Sequence, residues 1–286
     1  MLKKKKFLTI FFVIFLAGSI LWLYWGNHSI EVTHFFIADK LIPQPFDGFR
    51  IVHVSDLHNS EFGENQSILL RKISDAKPDI IAITGDLIDS RHTDIDTAME
   101  FVEAASQIAP IYFVTGNHEA WSGVYPDLKD RLKQAHVTIL ENEKISISQK
   151  GASISLVGLA DPDFTLSNDL FGETDAMVNK MLQDIADNDS NYTIMLSHRP
   201  ELVNIYANHP INLVLAGHAH GGQFRIPFIG GVIAPDQGLF PKYTAGKYKV
   251  SQTQMIVSRG LGNSIVPVRI NNRPELVVIE LNHQEP

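Results

Sequence analysis

Metal-binding residue types follow five separate apolar runs in this chain, and this arrangement limits the possible folds more than any other feature. Continuous apolar runs of this length predict strands buried on both faces of a sheet. Because the carboxyl ends of parallel strands meet at one edge of an open sheet, we expect the residues that follow them to lie together. The five runs cover residues 50–55, 80–84, 111–115, 193–197 and 211–216. The residues that follow are Asp56 and His58, Asp86, Asn117 to Glu119, His198, and His218 and His220.

Between the apolar runs lie stretches of helical periodicity, and a sixth strand-like run covers residues 154–159. Two more strand-like runs lie within residues 255–281. Alternating strands and helices predict an α/β fold in which β-sheets are flanked by helices as a layered sandwich. We interpret residues 29–286 as one domain. The predicted helices are 66–76, 95–108, 125–135, 174–185 and 200–207.

The composition is typical of a folded protein and narrows the chemistry. With 44% hydrophobic residues among 286, the chain is too apolar for disorder. It contains no cysteine, which excludes thiolate zinc sites, iron–sulfur clusters and a cysteine nucleophile. Any metal must therefore be held by oxygen and imidazole nitrogen atoms.

The formal net charge is −8, although Lys3 to Lys6 contribute four positive charges, so the rest of the chain is more acidic still. An acidic body argues against a nucleic-acid-binding surface, which needs lysine and arginine to displace counterions. It does not exclude a phosphate substrate, because bound divalent ions can invert the local charge.

Residues 7–25 are an uncharged stretch of 19 residues, which predicts a membrane-spanning helix. We interpret residues 1–28 as an uncleaved signal anchor. The alternatives are a signal peptide cleaved near Leu16 to Ser19, and a buried or peripheral helix. The lysines should stay cytoplasmic. The anchor thus predicts a single-pass protein of the cell membrane with its catalytic domain on the extracytoplasmic side.

Taken alone, Asp-x-His is a weak signal, Gly-Asp after a strand is usually a turn, and Gly-His-x-His is moderately specific for a metal site. Asp56 and His58 are two residues apart, as are His218 and His220, so an extended backbone would point each pair to one side. The order of all five blocks is the stronger signal. The remaining histidines have no ligand-like neighbours and are interpreted as ordinary: His28, His34, His53, His92, His136, His209 and His283.

In this order the blocks Asp-x-His, Gly-Asp, Gly-Asn-His-Glu, a lone His and Gly-His-x-His resemble the calcineurin-like metallophosphoesterases over residues 50–223. The sequence around residues 77–86 and 217–224 looks like that of the bacterial membrane-associated branch of this family. That branch includes phosphodiesterases and pyrophosphatases acting on lipid-linked nucleotides. The resemblance implies a hydrolase of phosphoester bonds, and the alternative is a metal-bound receptor or structural module without turnover.

The resemblance also implies two divalent ions, with Mn, Zn and Fe all suited to the mixed ligands, and a hydroxide bridging them as the nucleophile. Asp56, His58 and His220 would hold one ion and Asn117, His198 and His218 the other. Asp86 would bridge both.

His118 is then expected to protonate the leaving oxygen or to stabilise its charge. Glu119 is expected to orient the His118 imidazole, or else to be a solvated turn carboxylate. Residues 223–230 could form an apolar wall beside the metals for a lipid-linked or envelope substrate, or else a core strand and turn. Four arginines are candidates for phosphate contacts: Arg199, Arg225, Arg259 and Arg269.

Overall fold

The computed structural model describes residues 2–165, 173–185, 191–263 and 266–285. Within them, two six-stranded sheets face each other, and helices cover their outer faces. The helices are α1 (Leu2–His28), α2 (Ser67–Ala76), α3 (Ile95–Ser106), α4 (Asn117–Trp121), α5 (Tyr125–Gln134), α6 (Glu173–Ile185) and α7 (Val203–Tyr206). The strands are β1 (Glu31–Asp39), β2 (Phe49–Val54), β3 (Ile80–Thr84), β4 (Ile111–Val114), β5 (Thr138–Ile139), β6 (Glu143–Gln149), β7 (Ala152–Gly158), β8 (Thr193–Leu196), β9 (Leu213–Ala216), β10 (Arg225–Ile226), β11 (Gly230–Gly231), β12 (Ile233–Ala234), β13 (Gly238–Leu239), β14 (Gly246–Val250), β15 (Thr253–Val257) and β16 (Glu275–His283).

The first sheet has the order β1-β16-β2-β3-β4-β5, and only the β16–β2 pair is antiparallel. The second has the order β14-β15-β9-β8-β7-β6, with antiparallel pairs at its two edges. Two small hairpins, β10–β11 and β12–β13, follow β9. The predicted α/β layered sandwich is confirmed.

Three apolar clusters hold the layers together. The central cluster lies between the sheets and includes Ile51 from the first and Leu156 and Leu213 from the second. The outer clusters join the first sheet to α2, α3 and α5, and the second to α6 and α7. Because the central strands are covered on both faces, β3 buries all five of its residues, as its continuous apolar sequence predicts.

Helix α1 stands apart from these clusters. Residues 4–28 are long and apolar enough to cross a membrane, and none of the apolar window is buried in the protein. Phe7, Phe11 and Phe12 are exposed. A helix with apolar side chains all round needs an apolar surrounding, so the buried-helix alternative is wrong. The uncleaved anchor stays a prediction.

Candidate metal centre

The five polar blocks lie on loops that meet between the two sheets. The loops after β2, β3 and β4 come from the first sheet, and those after β8 and β9 come from the second. They contact directly: His198 Nδ1 lies 2.8 Å from the Thr84 carbonyl oxygen, and the His218 N–H donates to Asp56 Oδ1 at 3.0 Å. The expected meeting point at one edge of one sheet is therefore wrong, because the ligand types come from the ends of two facing sheets.

One group of ligand-type atoms comes from Asp56, His58, Asp86 and His220, all buried and within 4.8 Å of one another. His58 Nε2 lies 3.2 Å from His220 Nε2 and 3.5 Å from Asp86 Oδ2. His220 Nε2 lies 3.5 Å from Asp56 Oδ1. Atoms at these spacings can share one coordination sphere, as ligands about 2.0–2.2 Å from a single ion do.

A second group adjoins the first and consists of Asp86, His198, His218 and Asn117. His198 Nε2 lies 3.0 Å from Asn117 Oδ1, 3.0 Å from His218 Nδ1 and 3.2 Å from Asp86 Oδ2. Asp86 is the carboxylate common to both groups. All seven predicted ligand residues are thus brought together.

The protonation of the second group is set by its neighbours. The Thr84 carbonyl can only accept, so His198 Nδ1 carries a proton and Nε2 is the nitrogen that faces the other ligand-type atoms. Asp236 Oδ2 lies 2.9 Å from His218 Nε2, which places the His218 proton there and leaves a lone pair on Nδ1. The His218 Nδ1 lone pair therefore faces His198 Nε2 at 3.0 Å, and the Asn117 and Asp86 oxygens lie 3.0 and 3.2 Å from the same nitrogen. One positive charge, either a proton on His198 Nε2 or a metal ion, satisfies all of these electron-pair donors, so the residues fit a bound metal ion.

The electrostatics point the same way. Burial lowers the pKa of His58 to about 3 and that of His218 to about 4, which keeps both imidazoles in the neutral, metal-binding form. Burial alone would lower the pKa of His198, but the nearby Asp86 carboxylate raises it to about 10. The space between Asp86 and His198 therefore favours a positive charge, which a metal ion would supply.

The backbone at the centre differs from the extended form expected from the two-residue spacing. Asp56, His58, Asp86, His218 and His220 all have positive φ, between 44° and 63°. Left-handed conformations cost non-glycine residues free energy and concentrate at functional sites. Tight loop turns, rather than strand pleating, bring these side chains together.

Gly217 shows how closely the loops approach. A Cβ atom at this position would lie 1.8 Å from Ser55 Oγ and 2.4 Å from Asp56 Oδ2. Only glycine therefore lets the loop after β9 contact the loop after β2.

His118 lies beside the first group, with its ring centroid 4.5 Å from that of His58. The backbone N–H of Ser90 donates to His118 Nδ1 at 3.0 Å, so the neutral imidazole carries its proton on Nε2. Ser90, which the sequence reading missed, is thus the residue that orients this ring. Burial lowers the pKa of His118.

Glu119 does not have the predicted role of orienting His118. Its buried carboxylate accepts backbone N–H groups of Asp86, Leu87, Ile88 and Gly116 at 2.7–3.2 Å. The solvated-turn alternative is also wrong, because the side chain is fully buried. Glu119 joins the loop after β3 to the start of α4, and it thereby positions Asp86 and Asn117.

We expect Glu119→Gln to destabilise the fold rather than to change the pH profile of turnover. The glutamine amide would bring N–H donors against backbone N–H donors, at a cost of about 1–3 kcal/mol for the unsatisfied groups. Denaturant unfolding of the metal-free protein measures this loss. Unchanged stability together with a shifted pH profile would restore the predicted role. Glu100→Gln, at an exposed position of α3, is the matched control.

Arg199 is held by an acidic cluster. Its guanidinium contacts Asp161 at 2.7 Å, Asp163 at 3.0 Å and Asp236 at 2.5 Å. Since Asp236 also contacts His218, this cluster fixes the outer side of the second ligand group. Most of the Arg199 N–H donors are thus engaged with carboxylates, and phosphate binding by Arg199 stays a prediction.

The other three candidate arginines also have protein partners, and Arg269 is fully buried, with Nη2 3.4 Å from His220 Nδ1. Phosphate binding by these arginines stays a prediction. Arg225 donates to the Gly221 carbonyl at 2.7 Å, Arg259 pairs with Glu275 at 2.9 Å, and Arg269 donates to the carbonyls of Arg259 and Gly262.

Of residues 223–230, Gln223 lines the apolar groove beside the centre, whereas residues 225–230 belong to the β10–β11 hairpin and not to the core. The turn of this hairpin leaves Phe228 fully exposed, so the segment as a whole does not form the predicted wall. The apolar surface beside the centre is instead a groove of about 340 Å³. Its lining includes His220, Ile233, Ala234, Pro235 and Val266.

Two acidic residues at the centre were missed from the sequence. Asp89 lies 3.8 Å from both His58 Nδ1 and His118 Nδ1. Its position three residues after Asp86, on the same loop, was the available signal. Asp236 contacts His218 from the turn between β12 and β13, and no sequence pattern marks it.

The fold and the site together define a class of metal-binding hydrolases in which loops from two facing sheets supply the metal ligands. A family model described as calcineurin-like phosphoesterase matches residues 49–222. Metallophosphoesterase YkuE of Bacillus subtilis is 32% identical, over 90% of this chain and 87% of YkuE. The chain belongs to the calcineurin-like phosphoesterase family and is a metal-dependent phosphoesterase.

Further relatives agree with this assignment. Phosphodiesterase YaeI of Escherichia coli is 28% identical, over 86% of this chain and 85% of YaeI. A bovine transmembrane protein with a metallophosphoesterase domain is 29% identical, over 87% of this chain and 56% of its own length. With α1, this relative indicates a single-pass membrane protein. The crystal structure of TT1561 of Thermus thermophilus shares the fold, with a TM-score of 0.50 and 13% identity over 74% of this chain and 89% of TT1561.

Proposed function

We propose that this chain hydrolyses a phosphodiester or diphosphate bond by means of two divalent ions, Mn, Zn or Fe. The observation that carries the proposal is that Asp86 joins two buried groups of ligand-type atoms, with His198 Nε2 3.2 Å and His58 Nε2 3.5 Å from its Oδ2. The similarity to the phosphodiesterase YaeI supports a diester rather than a monoester.

In this proposal each ligand group holds one ion, and Asp86 belongs to both. Bound ions would activate water and neutralise charge on the phosphoryl oxygens. Mixed nitrogen and oxygen ligands suit Mn, Fe and Zn better than Mg or Ca. One group adds Asp56, His58 and His220 to Asp86, and the other adds Asn117, His198 and His218.

His118 acts on the leaving oxygen. Because Ser90 donates to Nδ1, the Nε2–H of His118 is the hydrogen-bond donor. Burial lowers the pKa of His118, so the ring is neutral at neutral pH. This supports stabilisation of the developing charge through a donated hydrogen bond over transfer from an imidazolium ion.

The substrate is proposed to carry an apolar group, as a lipid-linked or envelope phosphoester does. The groove beside His220 supports this, since Ile233, Ala234 and Val266 give it an apolar lining. An acyl or prenyl chain bound there would keep the phosphoester next to the first ligand group.

Substrate assays of the detergent-solubilised, metal-loaded chain test the proposed function. A soluble diester and a lipid-linked diphosphate should be hydrolysed with higher kcat/KM than a soluble monoester. Ile233→Ser should raise KM for the lipid-linked substrate only, and Ile68→Ser, at an exposed position of α2, should change neither. A preference for the monoester would overturn the proposal. No turnover with two ions bound would support the non-catalytic module.

We further propose that Lys3 to Lys6, in the first turns of α1, stay cytoplasmic and that the domain is extracytoplasmic. The chain has no cysteine, so a single introduced thiol reports its own side of the membrane. In intact spheroplasts, a membrane-impermeant maleimide should label Lys150→Cys, an exposed position, and should label Lys4→Cys only after lysis. The opposite pattern would reverse the orientation.

A further inference from the structure

Large apolar side chains are exposed at two neighbouring hairpins. Phe228 and Ile229 form the turn of the β10–β11 hairpin, and Phe228 is fully exposed. Leu239 lies on β13, followed by Phe240, and both expose well over half of their surface. A concentration of exposed apolar side chains on a soluble domain marks an interaction surface rather than a random surface.

Val232, which connects the two hairpins, is hydrogen-bonded to the residues that flank both of them. The Val232 N–H donates to the Phe224 carbonyl at 2.9 Å, and the Phe240 N–H donates to the Val232 carbonyl at 2.8 Å. Gly222 and Gly231 also approach closely, since a Cβ at Gly222 would lie 2.3 Å from the Gly231 Cα. The exposed side chains therefore belong to one continuous piece of the structure.

This piece is attached to the end of α1. The Arg225 N–H donates to the Ile270 carbonyl at 2.9 Å. The neighbouring residue, Arg269, exchanges two backbone hydrogen bonds with the Asn27 side chain, at 2.7 and 3.0 Å. Two short steps along the hydrogen-bond network thus connect the first hairpin to the last turn of the apolar helix.

The end of α1 also fixes the level of the bilayer surface. Trp22 and Trp25 lie in its last turns, and tryptophan prefers the boundary between headgroups and hydrocarbon. The Arg273 guanidinium lies 4.5 Å from the Trp25 ring centroid, which ties the domain to this level. The first hairpin is hydrogen-bonded to Ile270, next to the Arg269 that contacts the end of α1. Lys242, which is exposed, follows Phe240 by two residues. A basic residue beside aromatic ones suits anionic headgroups.

We propose that Phe228, Ile229, Leu239 and Phe240 form a membrane-docking surface that inserts into the leaflet next to the carboxyl end of α1. Docking at a second point in addition to α1 fixes the orientation of the domain on the bilayer. The groove beside His220 includes Ile233 and Gly238 of the second hairpin. If the proposed function holds, on which this last step rests, the groove opens toward the lipid and receives the substrate from it.

Single-cysteine fluorescence on the full chain in phosphatidylglycerol-containing nanodiscs tests the docking. Phe228→Cys and Phe240→Cys carry an environment-sensitive label, and Lys150→Cys in the turn between β6 and β7 is the control. That turn lies at the end of the second sheet away from the metal centre. The labels at 228 and 240 should report a depth of ~5–10 Å below the headgroup boundary, and lipid-borne spin labels should quench them several-fold more than the control.

Equal quenching at all three positions would overturn the proposal. A label at 228 that reports an apolar environment without being quenched by lipid spin labels would also overturn it. If that signal grows with protein concentration, the surface is covered by a second copy of the chain and not by lipid. Neither measurement requires metal or turnover. Failure of the docking is therefore distinguishable from failure of the proposed function.

Discussion

Asp86→Ala is expected to empty both metal sites and to lower turnover by several orders of magnitude. Asp86 Oδ2 lies 3.2 Å from His198 Nε2 and 3.5 Å from His58 Nε2, so a single carboxylate serves both ligand groups. Its Oδ1 also accepts the His118 N–H at 2.9 Å, which positions α4. Metal analysis of the purified chain and kcat on a soluble diester measure the two effects.

The matched control for this substitution is Asp130→Ala, which removes an exposed carboxylate of α5. It should leave the metal content and the rate unchanged. Retention of two ions by Asp86→Ala would contradict the bridging position of this carboxylate, whatever the rate.

His118→Ala is expected to keep both ions and to slow turnover by roughly 10²–10³, the usual contribution of one hydrogen-bond donor aimed at developing charge. The side chain belongs to neither ligand group around Asp86, and its Nδ1 accepts from Ser90. His92→Ala, at an exposed position of the same loop as Ser90, is the control and should have no effect. Loss of metal from His118→Ala would instead make this residue a ligand.

The central strands were predictable because both of their faces are buried. β3 has the predicted boundaries, residues 80–84, and the boundaries of its neighbours β2 and β4 differ from prediction by at most one residue. The edge strands β6 and β14 were missed. Their sequences, Glu143–Gln149 and Gly246–Val250, alternate or mix polar residues because one face remains accessible, so no continuous apolar run marks them.

The metal-ligand residues were predictable because each of them directly follows an apolar run that forms a strand. The contacts around them were not, since they join residues far apart in sequence. Ser90 beside His118, and Asp236 beside His218 and Arg199, are defined only once the loops have folded. For the same reason Glu119, adjacent to His118, was given the wrong contact.

The most direct test of the central claim is a crystal structure of the Mn²⁺-loaded chain, with the ions located by anomalous scattering. We expect two peaks roughly 3.5–4 Å apart, one on each side of Asp86. The first should contact Asp56, His58 and His220, and the second Asn117, His198 and His218. A single peak, or peaks that do not contact Asp86, would contradict the dinuclear centre.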